Sequence, residues 1–362
     1  MDIFKPSGKP LKTIDRKKMK IVAILGHFAF GNNELNGQTI KTKIIADVLT
    51  DQLGPHEISL EDTHGRWMFL LRLPLAILRV LLHNRNVIIM PAYKGVRVIT
   101  PLLVTLNIFF QRRLHYVVIG GWLPNYARRF PILRFFLKRL HYIYVETKTM
   151  KQELEQQNFQ NVYIMPNCKP LAILPDKQLP VHHPPYKLCT FSRVIKEKGI
   201  EEAINAVTEC NRRMGKTVYT LDIYGQIEQQ EWFEELMERQ PAAIAYKGIV
   251  PFDQSTEILK DYFLLLFPTY YRGEAFAGTL IDAMAAGVPT IASNWHSNSE
   301  IIEDGKTGRL FPVHSVESLV EILTEAAEHP DNILRMRGNC ISQAKNYQPD
   351  TVVQILLDKL VS

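Results

Sequence analysis

Ten short runs of β-branched and other apolar residues alternate with stretches of helical period along this 362-residue chain. Strands that alternate with helices in this way fold as parallel sheets covered by helices on both faces. The first five runs are Lys20–Gly26, Asn86–Met90, His115–Ile119, Tyr142–Glu146 and Val162–Met165. The second five are Lys187–Phe191, Val218–Tyr224, Ala243–Lys247, Phe263–Pro268 and Thr290–Ser293. Helical segments such as Thr39–Gln52, Gly199–Met214 and Val316–Ala327 fill the intervals. Between the two series, six of the 20 residues from Pro166 to Pro185 are prolines. A residue with no N–H and a fixed φ continues neither a helix nor a central strand, so the chain is divided here. The predicted organisation is a leader over 1–19, an α/β domain over 20–167, a linker over 168–186, a second α/β domain over 187–345 and a terminal helix over 346–362. Two doubly wound domains joined in this way leave a cleft outside the carboxyl ends of their strands, where ligands bind.

Hydrophobic residues make up 46% of the chain and charged residues 22%, enough to fill two cores. The leader has no apolar segment of signal-peptide length, and no run of roughly 18 uncharged apolar residues is present to span a bilayer. Cys168, Cys189, Cys210 and Cys340 stand far apart, a pattern that argues against a metal site or disulfide framework and fits a reducing compartment. The net charge of +6 conceals an asymmetry: residues 1–180 carry 26 basic and 12 acidic side chains, residues 181–362 carry 17 and 25. From Thr63 to Val145 there are 13 basic residues and no acid. Such a run calls for a negative partner. Arg66-Trp67-Met68-Phe69, the Leu71–Leu82 segment and Arg134 with Lys138 among Phe135, Phe136 and Leu137 mix cations with bulky apolar groups, as segments lying on an anionic bilayer do. The alternative is that the apolar faces pack on the sheet and only the basic faces meet solvent. Nucleic acid is disfavoured, because no recognised motif for it is present.

The segment Gly273–Pro289, G-E-A-F-A-G-T-L-I-D-A-M-A-A-G-V-P, follows one expected strand and precedes another, so it reads as a loop opening into a helix. Unpaired N–H groups at Ala277, Gly278 and Thr279 and the helix dipole suit a phosphate. Carboxylates on either side, Glu274 and Asp282, suit a polyhydroxy ligand such as a nucleotide sugar. A second segment, Phe191–Ile200, carries Arg193 and Lys198 out of a strand end, where two cations neutralise a departing pyrophosphate.

Together these segments resemble glycosyltransferase family 4, the retaining GT-B transferases with an E-x7-E signature. Here the signature reads Glu274, seven residues, Asp282, with Asp in place of the second Glu and Ala277 where Gly is common. The resemblance covers about 187–315 strongly and 20–167 more weakly, and Asn298–Phe311 resembles the family's closing turn. It implies two Rossmann-like domains facing a cleft, with the terminal helix crossing back to the first. It further implies that Glu274 meets the donor sugar, Asp282 the ribose, Arg193 and Lys198 the diphosphate, and Gly225, Gly248 and Ile249 the base. In the first half, Gly37 with Gln38 is expected on the cleft toward the donor, and His27, Gly121 and Trp122 toward the acceptor. The expected activity is metal-independent transfer from a nucleoside-diphosphate sugar, UDP favoured, to a lipid-linked or polysaccharide hydroxyl on the cytoplasmic face of a membrane. A nucleotide-sugar epimerase on the same fold, or a membrane-binding module without catalysis, remain the alternatives.

Overall fold

The computed structural model describes residues 19–30, 37–64, 66–175 and 179–362, without the side chains of 66–70 and 252. Almost all of the expected leader, and Asp176 to Gln178 of the expected linker, lie outside the described residues. Among the described residues, twelve strands form two sheets of six, every pairing parallel. The first sheet contains β1 (Lys20–Gly26), β2 (Ile58–Asp62), β3 (Asn84–Ile89), β4 (Arg113–Val117), β5 (Tyr142–Val145) and β6 (Val162–Ile164), in the order β2-β1-β3-β4-β5-β6. The second contains β7 (Tyr186–Phe191), β8 (Tyr219–Tyr224), β9 (Ile244–Gly248), β10 (Leu264–Phe267), β11 (Thr290–Ser293) and β12 (Gly308–Phe311), in the order β12-β11-β10-β7-β8-β9. Strand order therefore reverses between β1 and β3 in one sheet and between β7 and β10 in the other. At such points the loops part to opposite faces and leave a crevice.

Alternation along each central strand explains why helices cover both faces. Ala23, Leu25, Val87 and Ile89 enter one buried cluster of the first domain, and Val22, Ile24 and Ile88 enter the other. In the second domain Leu188, Leu264 and Leu266 divide in the same way from Cys189, Leu265 and Phe267. Two strands, β2 and β12, were not expected. Both are edge strands, and their sequences, I-S-L-E-D and G-R-L-F, lack the continuous apolar character of the central ones.

The last helix, Pro349–Val361, adds Val352, Val353, Leu356, Leu357 and Leu360 to the first domain's core beside Ile44, Ile45, Val48 and Leu49. Asn86 secures it by donating from Nδ2 to the carbonyls of Leu360 at 3.1 Å and Ile21 at 2.9 Å. The amide oxygen of Asn86 faces His115 Nε2 at 3.2 Å, while His115 Nδ1 lies 3.1 Å from the Tyr144 hydroxyl. This pattern suits a neutral imidazole protonated at Nε2. Burial, helped by His141 and Arg113, pushes the His115 pKa down to about 3. The proline-rich segment is packed on the second domain. Asn167 donates to the Phe276 carbonyl at 3.2 Å, and the Leu174 N–H to that of Ala285 at 3.0 Å. All four cysteines are free and buried, and no described helix is long and apolar enough to cross a membrane.

Candidate active site in the interdomain cleft

The loops leaving β7 and β10 meet at the second sheet's reversal point. After β7 the chain turns through a short 3-10 segment, Lys196–Lys198, into the helix Ile200–Arg213. That turn buries Lys198 to 8% exposure and directs its ammonium onto Glu274 Oε2, whose side chain is 11% exposed. The loop after β10 supplies the acid. Its shape is held by Thr269, whose hydroxyl lies 3.3 Å from Glu274 Oε2 and accepts the Tyr271 N–H at 3.2 Å. Tyr271 joins the cations: its ring centroid is 5.3 Å from Lys198 Nζ and 5.0 Å from the Arg193 guanidinium. Arg193 Nη1 also donates to both oxygens of Glu228 at 3.2 Å. Burial works against the charge of Arg193, but its bonds to Tyr271 and Glu228 raise the guanidinium pKa above its ordinary value. Arg193, Lys198 and Glu274 thus form one contact group.

The helix Gly278–Ala285 opens beside this group. Its N-cap is Ala277, so no side chain caps the first turn, and Thr279 donates its hydroxyl to the Phe191 carbonyl at 2.9 Å, tying the helix start to the end of β7. Asp282 occupies a different setting. It is 4% exposed, and its carboxylate lies 2.7 and 2.9 Å from Lys169 Nζ of the proline-rich segment. Burial pushes the Asp282 carboxyl pKa up, against the pull of Lys169 and Ser255. The two acids of the signature therefore have different partners: Glu274 faces the cation group, and Asp282 holds the linker. Gly225 follows β8 at φ +138, where an added β-carbon would lie 1.6 Å from the Ser192 carbonyl oxygen. Only glycine fits there. Its carbonyl accepts from the Tyr246 hydroxyl at 2.8 Å, and its N–H donates to the Gly248 carbonyl at 2.9 Å. Ile249, next along, is 67% exposed.

The first domain reaches the same place. Gly121 passes so close to the opposite loop that a β-carbon would lie 3.1 Å from the Glu274 carbonyl oxygen. Ala275 of that loop joins the first domain's apolar cluster, against which Trp122 packs. Gly121, Trp122 and Glu274 line one interdomain pocket of about 300 Å³. A second bridge lies nearby. Glu300, from the second domain, accepts the N–H groups of Lys148 at 2.5 Å and Thr149 at 2.8 Å, and the Thr149 hydroxyl at 2.5 Å. A carboxylate at a helix N-terminus is favourable by the helix dipole, and this helix, Lys148–Glu155, belongs to the other domain.

Of the remaining expected residues, Gly37 begins the helix Gly37–Leu53, and the neighbouring Gln38 donates to the Met90 carbonyl at 3.2 Å. His27 packs edge-on against His64, ring centroids 5.0 Å apart, and is not among the residues lining the pocket. The sequence reading missed Tyr271, Thr269 and Glu228. It also missed a buried pair, Lys41 with Glu146, at the carboxyl end of the first sheet. Tyr271 stands three residues before Glu274, so an aromatic next to the signature was a visible signal; the ion pair partners, 105 residues apart, gave none.

Residues 176–347 match the model of the family described as Glycosyl transferases group 1. The GtfA subunit of a UDP-N-acetylglucosamine–peptide N-acetylglucosaminyltransferase from Streptococcus agalactiae is 27% identical over 177 residues, which are 49% of this chain and 34% of that protein. The chain thus spans about a third of the length of that relative. Among solved structures, Anabaena HepE in complex with UDP-glucose aligns with a TM-score of 0.69 and 13% identity, over 94% of this chain and 99% of that one. The lipopolysaccharide outer core galactosyltransferase WaaB, in its apo form, aligns with a TM-score of 0.66 and 14% identity, over 94% and 98%. The chain has the two-domain GT-B fold of these glycosyltransferases. Its second half matches the glycosyl transferases group 1 domain.

Proposed function

We propose that the protein is a glycosyltransferase that moves a sugar from a UDP-sugar to a hydroxyl group of a lipid-linked or polysaccharide acceptor, with retention at the anomeric carbon and no call for a divalent metal. One observation carries this reading: Arg193, Lys198, Tyr271 and Glu274 form a single group beside a helix start that no side chain caps. Glu274 takes hydroxyls of the donor sugar. Lys198, Arg193 and the N–H groups of Ala277, Gly278 and Thr279 take the diphosphate, whose charge grows as the bond to the sugar breaks. Gly225, Gly248 and Ile249 border the base. The acceptor oxygen bonds to the anomeric carbon on the face that the diphosphate leaves. The electron pair of the broken C–O bond stays on the diphosphate oxygen, which receives the proton of the acceptor hydroxyl. A ribose contact by Asp282 competes with Lys169 for the same carboxylate, so sugar recognition falls chiefly to Glu274.

The relatives support this choice by what their names state: a UDP-glucose complex for HepE, a UDP-N-acetylglucosamine enzyme for GtfA and a galactosyltransferase of lipopolysaccharide for WaaB. The test is ligand-induced stabilisation by UDP and UDP-sugars, followed by sugar transfer or donor hydrolysis. A rise in Tm that Arg193→Ala reduces is expected, together with turnover. A Tm rise with isomerised sugar would indicate the epimerase alternative, and no Tm rise with any nucleotide would indicate a binding module.

The site of action we propose is the inner face of a membrane. Between residues 63 and 145, where no acid occurs, lie nine of the 14 large apolar side chains exposed among the described residues. The helix Arg66–His83 turns Leu73, Ile77 and Val80 into the core yet leaves Leu71 83% and Leu75 67% exposed. Phe109, Ile132 and Phe135 are exposed on neighbouring segments. Apolar packing on the sheet therefore accounts for only part of this face, and the remainder suits an anionic bilayer. Arg134→Glu with Lys138→Glu is expected to release the protein from anionic vesicles; unchanged co-sedimentation would remove this part of the proposal.

A further inference from the structure

The interdomain pocket extends well past Glu274. Trp122, Tyr126 and Arg129 line it from one strand-end loop and the helix Leu123–Arg129, Glu153 from the helix Lys148–Glu155, and Arg272 and His296 from the second domain. Trp122 and Tyr126 make a rigid aromatic corner. Their rings meet edge to face at 5.4 Å, and the Trp122 indole N–H donates to the Ile119 carbonyl at 2.8 Å, which fixes the ring plane. A flat aromatic face beside polar side chains is what the C–H face of a pyranose packs against.

The polar groups add a sign. Lys198 balances Glu274. The lining itself carries two guanidinium groups, Arg129 and Arg272, and two carboxylates, Glu153 and Glu274; with Glu274 engaged by Lys198, Glu153 alone is left to face the pair. A guanidinium fork matches carboxylate and phosphate oxygens. The N-terminus of the Lys148–Glu155 helix does not supply this attraction, because Glu300 already occupies it. His296 carries backbone strain, with φ +46, a left-handed conformation uncommon for a residue with a β-carbon. Its ring centroid lies 4.5 Å from that of Trp295, whose indole N–H donates to the Tyr271 carbonyl at 2.9 Å. Strain of this kind gathers at binding sites. Through Tyr271 it connects the pocket wall to the group around Lys198.

We propose that this pocket is the acceptor subsite and that it selects an acceptor sugar bearing an anionic group, a carboxylate or a phosphate. This rests on the glycosyltransferase reading. Trp122 and Tyr126 pack on the ring, Glu153 and His296 meet its hydroxyls, and Arg129 with Arg272 takes the anion.

The test is calorimetric binding of glucose, glucuronate and glucose 6-phosphate to the wild type and to Arg129→Gln, Arg272→Gln and Arg193→Gln. At least one anionic sugar is expected to bind about tenfold more tightly than glucose, since one additional charged contact is worth about that factor. Glucuronate ahead of glucose 6-phosphate identifies a carboxylate, and the reverse order a phosphate. Arg129→Gln and Arg272→Gln should erase the preference while retaining the wild-type Tm and its rise with UDP. Equal binding of all three sugars, or a preference erased only by Arg193→Gln, overturns the proposal. A pocket preference without any UDP response would instead overturn the glycosyltransferase reading and leave a sugar-binding cleft.

Discussion

Each half of the molecule buries a lysine–glutamate pair near the carboxyl end of its sheet, and the two pairs sit in opposite circumstances. Lys41 and Glu146 in the first domain are 3% and 4% exposed, close to the buried Cys168. Lys198 and Glu274 in the second are 8% and 11% exposed, with Tyr271 and Arg193 beside them and the interdomain pocket in front. The chemistry is the same and the surroundings differ. A sealed pair can only hold elements together, here the helix after β1 to the end of β5. A pair at the edge of a cleft can exchange one partner for a ligand. Burial alone therefore does not mark a functional charge; what the charge faces does.

Breaking the sealed pair should have the largest effect on folding. Lys41→Met leaves Glu146 buried and uncompensated, which costs about 3–5 kcal/mol. Urea unfolding should show this loss, with Lys41→Met combined with Glu146→Leu recovering most of it and the UDP response intact in the folded fraction. If Lys41→Met weakens UDP binding as much as it weakens folding, the contrast between the pairs fails. Glu274→Gln is the counterpart in the cleft. It keeps the side chain's shape, and transfer should fall by roughly 10²–10³-fold, the range for losing one group that acts on the transition state. Comparable losses of Tm and turnover would place Glu274 with Lys41 and Glu146 as a structural residue.

Acid sharpens the comparison from the first domain's side. His115 is held to a pKa of about 3, so the unfolded chain takes a proton near the ordinary value of 6.5 that the folded chain refuses. More protons on the unfolded state mean that stability rises with pH in this interval and is lost as pH falls from 6.5 toward 3. The slope from this one group is at most about 1.4 kcal/mol per pH unit. Urea unfolding at pH 7, 6 and 5 should show it, and His115→Gln should reduce the slope, leaving the share of His182, which burial holds at about 4; an unchanged slope in that variant would assign the acid sensitivity elsewhere.

The central strands were legible because each is buried on both faces, and burial writes itself into composition: β1 and β11 coincide with the expected ranges. β2 and β12 were not: they are edge strands, as are the expected β6 and β9, but Ser59, Glu61 and Arg309 interrupt their short apolar runs. In the site, two strand-end loops could be read from Arg193, Lys198 and Glu274, together with the helix start at Ala277. The partners could not. Lys169 lies 113 residues from Asp282 and Glu300 lies 151 from Thr149, so only the folded chain brings them together. Asp282 shows the limit most clearly, for its spacing from Glu274 is visible in the sequence and its burial against Lys169 is not.

The carboxylate of Glu300 that reaches over to Lys148 and Thr149 makes two amide hydrogens into a gauge. While the domains are joined, those hydrogens are shielded by a partner from the far lobe. Each separation of the lobes gives them to water, so their isotope exchange counts separations. A ligand that draws the lobes together would slow that clock at Lys148 and Thr149 without touching either residue.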